Sequence, residues 1–140
     1  MDLKKICNVI KEVLIKKKEI IASYLYGSIL HSDNFEDIDI GILTSYEFKP
    51  NDVLYESQIS GIIEKAIYKV INIYKPVDIR VLNEKPLRFL NSILKNSILI
   101  HSNDDLKRAQ FEAKVIKEYL DIKPHHDYYD KIRELKYIDR

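Results

Sequence analysis

Apolar residues fall on one face of the opening segment. Leu3, Ile6, Cys7, Ile10, Val13 and Leu14 recur at steps of three and four, which predicts an amphipathic helix over residues 2–18. Ile20–Tyr26 then reads as a strand stopped by Gly27, and His31-Ser32-Asp33-Asn34 as a polar turn. Across Asp37–Leu43 the alternation is strict. Ile38, Ile40 and Ile42 point one way, and Asp37, Asp39 and Gly41 the other. After a loop over 44–52 that carries Pro50, a long helix is predicted over 52–74. Ile59, Ile62, Ile63, Ala66, Ile67, Val70 and Ile71 form its inner face, and Pro76 ends it. Val77–Leu82 alternates again, with Val77, Ile79 and Val81 set against Asp78 and Arg80. A short helix at Leu87–Lys95, a strand at Ser97–His101 and a final helix from Asn103 to Leu120 complete the pattern. That helix stops before Pro124, leaving 125–140 as a tail or short helix.

Strands alternating with helices imply an α+β arrangement, a small mixed β-sheet covered by helices, in one domain spanning 1–140. A chain of 140 residues is long enough to bury a core. With 46% hydrophobic and 32% charged residues it has the composition of a soluble globular protein, and no apolar run approaches a membrane span. The amphipathic start lacks the apolar core of a signal peptide, so a cytoplasmic location is expected. The net charge of +1 makes nucleic acid an unlikely partner. Cys7, the single cysteine, rules out an intrachain disulfide.

Chemistry concentrates on the strands. Period-two geometry sets Asp37 and Asp39 about 7 Å apart along one strand face. Carboxylates so placed repel unless a cation or water screens them. Mg²⁺ suits them, because it is bound by one or two carboxylates and completed by phosphate oxygens. Asp78 joins them if its strand is a neighbour, which a long helical crossover allows. Ordinary solvent-facing aspartates are the plainer alternative, weakened because aspartate is disfavoured in strands. Tyr26-Gly27-Ser28 ends a strand where backbone N–H groups could approach an oxyanion, helped by a following helix start. Gly27 and Gly41, two of only three glycines, both fall at this candidate site. Arg80 either pairs with Asp78 or touches phosphate. His31 is a candidate nucleotide contact, His101 reads as structural, and His125-His126-Asp127 reads as a solvated helix end.

The stretch YGSILHSDNFEDIDIGIL resembles the Gly-Ser … Asp-x-Asp signature of the DNA polymerase β-like nucleotidyltransferase superfamily. Asp78 in PVDIRVL resembles its third carboxylate. The element order, with SILIHSNDD and RAQFEAKVIKEYLDIKP, is similar to the minimal nucleotidyltransferase (MNT) subfamily, the MntA-type antitoxins paired with HEPN-domain (HepT) toxins. One departure stands out. The interval Ile29–Glu36 lacks the basic residue and the glycine that family members carry after the serine. A cation such as Lys49, Lys75 or Arg80 would take that role.

The resemblance implies a polymerase β-like fold and a Mg²⁺-dependent transfer of AMP from ATP. Gly27 and Ser28 would hold the β- and γ-phosphates. Asp37, Asp39 and Asp78 would be the catalytic and metal-binding residues, holding two Mg²⁺ ions, with Asp78 drawing the proton from the attacking hydroxyl. The acceptor it implies is a tyrosine of a HEPN-type toxin, silenced by the modification. With nearly the whole length spent on sheet and helices, an acceptor that brings its own surface fits this reading. The ten tyrosines suit the core or a partner interface, and assembly with itself or with a partner is open. Two alternatives stay open: an antitoxin that acts by binding alone, and a nucleotidyltransferase acting on a small molecule or an RNA end.

Overall fold

The computed structural model describes residues 2–48 and 52–138, and the side chains of these except at positions 52, 126 and 135–138. The chain runs α1 (Leu3–Leu14), β1 (Ile20–Tyr26), a 3₁₀ turn at Ser28–Leu30, β2 (Ile38–Thr44) and α2 (Asp52–Ile71). It continues through β3 (Val77–Val81), α3 (Leu87–Lys95), β4 (Ile98–Ser102) and α4 (Asp105–Ile138). The four strands form one mixed sheet in the order β3-β2-β1-β4. β1 is antiparallel to β2 and β4, while β2 and β3 are parallel. The parallel pair is possible because α2 carries the chain back to the starting edge.

Alternation assigns the two faces of the sheet. Ile38, Ile40 and Ile42 of β2, with Val77, Ile79 and Val81 of β3, pack against Ile6, Ile10, Ile59 and Ile63 of α1 and α2. Burying each such isoleucine contributes about 1.5–3 kcal/mol. The opposite face carries Tyr24 and Leu43 under Leu90, Ile93, Phe111 and Val115 of α3 and α4. These two helices cover one end of that face. Its other end holds the acidic residues.

Local chemistry sets the boundaries. The Asp2 carboxylate caps α1 by accepting from the N–H groups of Lys4 and Lys5 at 3.0 and 3.3 Å. The helix closes at Leu14, so Lys16-Lys17-Lys18 lie in the turn beyond it. α2 ends at Ile71 rather than near Pro76. Asn72 adopts a left-handed φ of 61°, a conformation that terminates helices and that asparagine tolerates. Its inner face is narrower than the sequence pattern predicts. Ile59, Ile63 and Ile67 are buried, but Ile62 is 45% exposed and Val70 lies outside as well. The fully buried row is i, i+4, i+8, with Tyr55, Ala66 and Ile71 packed beside it and partly buried.

The largest departure is α4, which continues through Pro124 to Ile138, about 50 Å in all. Proline lacks the N–H that would bond the carbonyl of Leu120. Leu120 is 62% exposed, so water can take the vacated carbonyl. Farther on, Arg88 of α3 pairs with Asp130 at 2.8 Å and ties the distal half to the fold. That half keeps Leu120, Tyr128 and Tyr129 on the surface.

Candidate functional site

Register brings the predicted acidic residues together. Asp39 on β2 is the direct partner of Asp78 on β3, and Tyr26, the last residue of β1, is the partner of Asp39 on the other side. All three side chains lie on the sheet face opposite the layer formed with α1 and α2. Asp37 precedes β2 by one residue and is half-buried. Its position is fixed from behind. Phe35 is buried in the core, and its carbonyl accepts from Lys75 Nζ at 2.8 Å. The same ammonium lies 5.2 Å from the centre of the Phe35 ring. Lys75 therefore braces the loop that delivers Asp37.

Charge crowding results from this placement. Burial raises the Asp39 carboxyl above the usual carboxylate range, and the negative charges of Asp37 and Asp78 raise it further. Arg80 pulls in the opposite direction. Its guanidinium Nε donates to Asp78 Oδ2 at 3.3 Å, with both side chains about half exposed (50% and 44%), and it sits 5.8 Å from the Phe89 ring centre. Of the two roles open to Arg80, the structure shows the ion pair with Asp78. Such an exposed pair is worth little and exchanges readily.

Gly27 stands beside the carboxylates. It has φ 87° and ψ −159°, a region open essentially to glycine alone. A β-carbon there would collide with Asp39 Oδ2 and lie 3.1 Å from its Cγ. The turn is held by Leu30 N–H donating to Gly27 O at 3.2 Å, and Ile29 is anchored in the core. Ser28 opens a single 3₁₀ turn of three residues and not the helix start expected from the sequence, so little helix dipole is available. Any anion here would rely on the backbone at Gly27 and Ser28. Gly41 also departs from expectation. It is buried beneath Leu82, whose methyl groups would stand 2.9 and 3.0 Å from an added β-carbon. Its bareness serves helix-side packing and not a ligand.

The donor set matches a hard cation. Carboxylate oxygens crowd one another with a single guanidinium nearby, an arrangement that a divalent ion would relieve. Among the described residues no three His, Cys, Asp or Glu side chains are close enough to ligate one ion by themselves. An ion here would need phosphate oxygens or water to complete its shell, as Mg²⁺ commonly does.

Two aromatic residues of the site are not evident from the sequence. Tyr26 and Phe89, the latter on α3, meet edge to face at 6.1 Å where the end of β1 faces that helix. The Tyr26 hydroxyl is pushed up to about 12 by burial, then by Asp39, with Arg80 opposing. The signal for Tyr26 was its place directly before Gly27; Phe89 had none without the tertiary fold. Among the remaining histidines, His31 is exposed at the turn and His101 is buried against Ser23. His125 and Asp127 lie exposed on α4, consistent with a solvated helix, while the His126 side chain and Lys49 fall outside the described residues. No described helix is long and apolar enough to cross a membrane.

Comparison with known proteins bears on the fold and the family. A chain from the complex of tri-AMPylated Shewanella oneidensis HEPN toxin with MNT antitoxin superposes with a TM-score of 0.67 at 16% identity, covering 93% of this chain and 98% of that one. A chain of a toxin–antitoxin structure with AMP-PNP gives 0.68 at 17% identity, covering 91% and 98%. The MntA–HepT toxin–antitoxin structure gives 0.67 at 16%, covering 93% and 98%. At these identities the likeness is one of fold. No match was found among curated proteins compared by sequence. The family model described as "Polymerase beta, Nucleotidyltransferase" matches residues 8–106, which takes in the Gly27 turn and all three aspartates. The chain belongs to the polymerase beta nucleotidyltransferase family.

Proposed function

We propose that this protein transfers AMP from ATP to a tyrosine hydroxyl of a HEPN-type toxin and acts as its antitoxin. The observation that carries the reading is the Asp39–Asp78 pairing across β2 and β3, with Gly27 pressed against Asp39. The fold shared with toxin–antitoxin complexes, one containing a tri-AMPylated HEPN toxin and one AMP-PNP, supports the partner and the nucleotide.

In this mechanism the Gly27 and Ser28 backbone holds the β- and γ-phosphates, since only a residue without a side chain leaves room beside Asp39. Asp37 and Asp39, with Asp78, hold Mg²⁺, in two ions. When bound, Mg²⁺ supplies positive charge to the phosphate oxygens and lets the three carboxylates stay ionised together. Asp78 accepts the phenolic proton as the tyrosine oxygen bonds to the α-phosphorus and the bond to the leaving pyrophosphate breaks. Arg80, in an ion pair that exchanges readily, gives way at Asp78 when the acceptor arrives. The protein's contribution is position and charge.

An acceptor that is itself a protein agrees with the exposed apolar residues Leu120, Tyr128 and Tyr129 on the distal half of α4. A second reading, inhibition by binding alone, has one observation in its favour. The turn after Ser28 is a single 3₁₀ turn, so the phosphate site lacks a helix N-terminus. Intact-mass analysis of the co-purified partner, before and after MgATP, separates the two. Adducts of AMP mass that disappear with Asp39→Asn support transfer. Neutralisation that persists in Asp39→Asn with no adduct supports occlusion.

A further inference from the structure

The two edges of the sheet are finished differently. Along β3, the α2 carboxylates of Glu64 and Glu56 accept from Val77 and Val81 N–H, each at 2.8 Å. Among the described residues no side chain does this for β4, the opposite edge. From Asn96 to Asn103 that edge has no lysine, arginine, carboxylate or proline, the residues that keep a free strand from pairing. Ile98 and Leu99 are 39% and 42% exposed, although they pair regularly with Leu25 and Tyr24 of β1. As successive residues they present apolar side chains on both faces of the strand. The register shift of this ladder, at Ile100, lies beyond them, where Ile100 and His101 are buried.

We propose that the β4 edge is the contact between two copies of this chain, paired antiparallel about a two-fold axis at Leu99 into one continuous sheet. The interface does not depend on the transfer reading. In that register Leu99 faces Leu99 of the other copy and Ile98 lies opposite Ile100, so apolar side chains meet on both faces. Lys95, just before the strand, comes opposite Asn103 and beside Asp104 and Asp105 of the other copy. A parallel arrangement would instead set lysine against lysine and aspartate against aspartate. The charges at the two ends of β4 therefore select an antiparallel second copy, and symmetry makes each favourable contact occur twice. An axis of this kind stands perpendicular to the sheet, so the carboxylates of both copies lie on one face. Leu25, the partner of Ile98, is two residues from Gly27, and the contact runs beside both candidate sites. So short a ladder fits a dissociation constant on the order of 10 µM.

The test is sedimentation of the purified full-length chain from about 1 to 100 µM, in wild type, Leu99→Lys and Lys95→Glu. Wild type should pass from monomer to dimer across that range. Leu99→Lys sets two ammonium groups face to face and should weaken dimerisation about tenfold or more. Lys95→Glu should weaken it about threefold, and by less in high salt. Both residues are exposed, so the fold should hold, which a thermal melt verifies. Mild oxidation of Leu99→Cys in a Cys7→Ser background reads the register. Facing residues of antiparallel strands stand about 4.5–5.5 Å apart between Cα atoms, within disulfide reach. Leu99→Cys should therefore cross-link to its copy much faster than Ile116→Cys, a similarly exposed position on α4. A wild type that stays monomeric throughout overturns the proposal. So does a dimer that survives Leu99→Lys, or cross-linking of Leu99→Cys no faster than that of Ile116→Cys.

Discussion

Gly27 and Asp39 occupy space that could not be shared if residue 27 carried any side chain. The backbone of one runs where the other's carboxylate stands, at a φ of 87° that glycine alone adopts easily. Gly27→Ala should therefore fail twice. Backbone strain costs about 1–3 kcal/mol, and Asp39 must turn away from the phosphate turn. The expected outcome is a lower melting temperature together with loss of AMP transfer of about a hundredfold or more. Unchanged transfer in a folded variant would contradict the site.

Asp39→Asn removes one of three crowded negative charges. In metal-free buffer the variant should melt at or above the wild-type temperature, because burial and the neighbouring carboxylates disfavour the ionised Asp39. Addition of Mg²⁺ and nucleotide should raise the wild-type melting temperature and leave the variant nearly unmoved. Thermal melts with and without chelator read both effects. A variant that melts well below wild type in chelator would show that Asp39 is structurally stabilising.

Glu64 and Glu56 project from α2 to the outer edge of β3, where Glu64 Oε1 accepts from Val77 N–H and Glu56 Oε2 from Val81 N–H, each at 2.8 Å. The helix thus satisfies part of a sheet edge that would otherwise invite another strand. Glu64→Ala should cost about 1–3 kcal/mol by stranding a buried donor, and should increase self-association on concentration. Chemical denaturation and light scattering measure the two. Glu64→Gln, which retains an acceptor, should recover most of the loss.

His101 is 4% exposed and shares a hydrogen bond with Ser23 between β4 and β1. Burial, with a smaller push from Lys11, lowers its imidazole to about 4. In the unfolded chain it titrates near its ordinary value of about 6.5. Between those values the unfolded state binds the proton and the folded state does not. Stability conferred by the neutral form is whole above about pH 6.5 and is lost progressively as pH falls toward about 4, of order 3 kcal/mol. Denaturation between pH 4 and 7 should show this slope, and His101→Gln should flatten it.

Pro124 interrupts the hydrogen-bond ladder of α4 without ending the helix. Pro124→Ala restores one bond and removes a ring clash, so amides around residues 120–128 should gain protection from hydrogen exchange. The global melting temperature should move little, because the described side chains of the distal half are mostly exposed. A large rise in melting temperature would mean that the distal helix is part of the cooperative core.

Sequence alone determined the strands, their polar faces and the residues on them. Alternation is a local property, so Asp37, Asp39 and Asp78 could be assigned to one side of their strands before any partner was known. Their convergence could not. It depends on β2 and β3 lying parallel in the register Asp39↔Asp78, a pairing that the α2 crossover and two apolar layers decide together. Gly27 stood out because Gly-Ser at a strand end is followed closely by Asp-x-Asp on the next strand; Gly41 misled because packing beneath Leu82 is a long-range contact. Pro124 misled for a complementary reason: local propensity opposes a helix there, whereas the exposure of Leu120 and the remote Arg88–Asp130 tie are tertiary facts. Patterns of period two and 3.6 state which way a side chain points, whereas what it meets is fixed by residues far away in the chain.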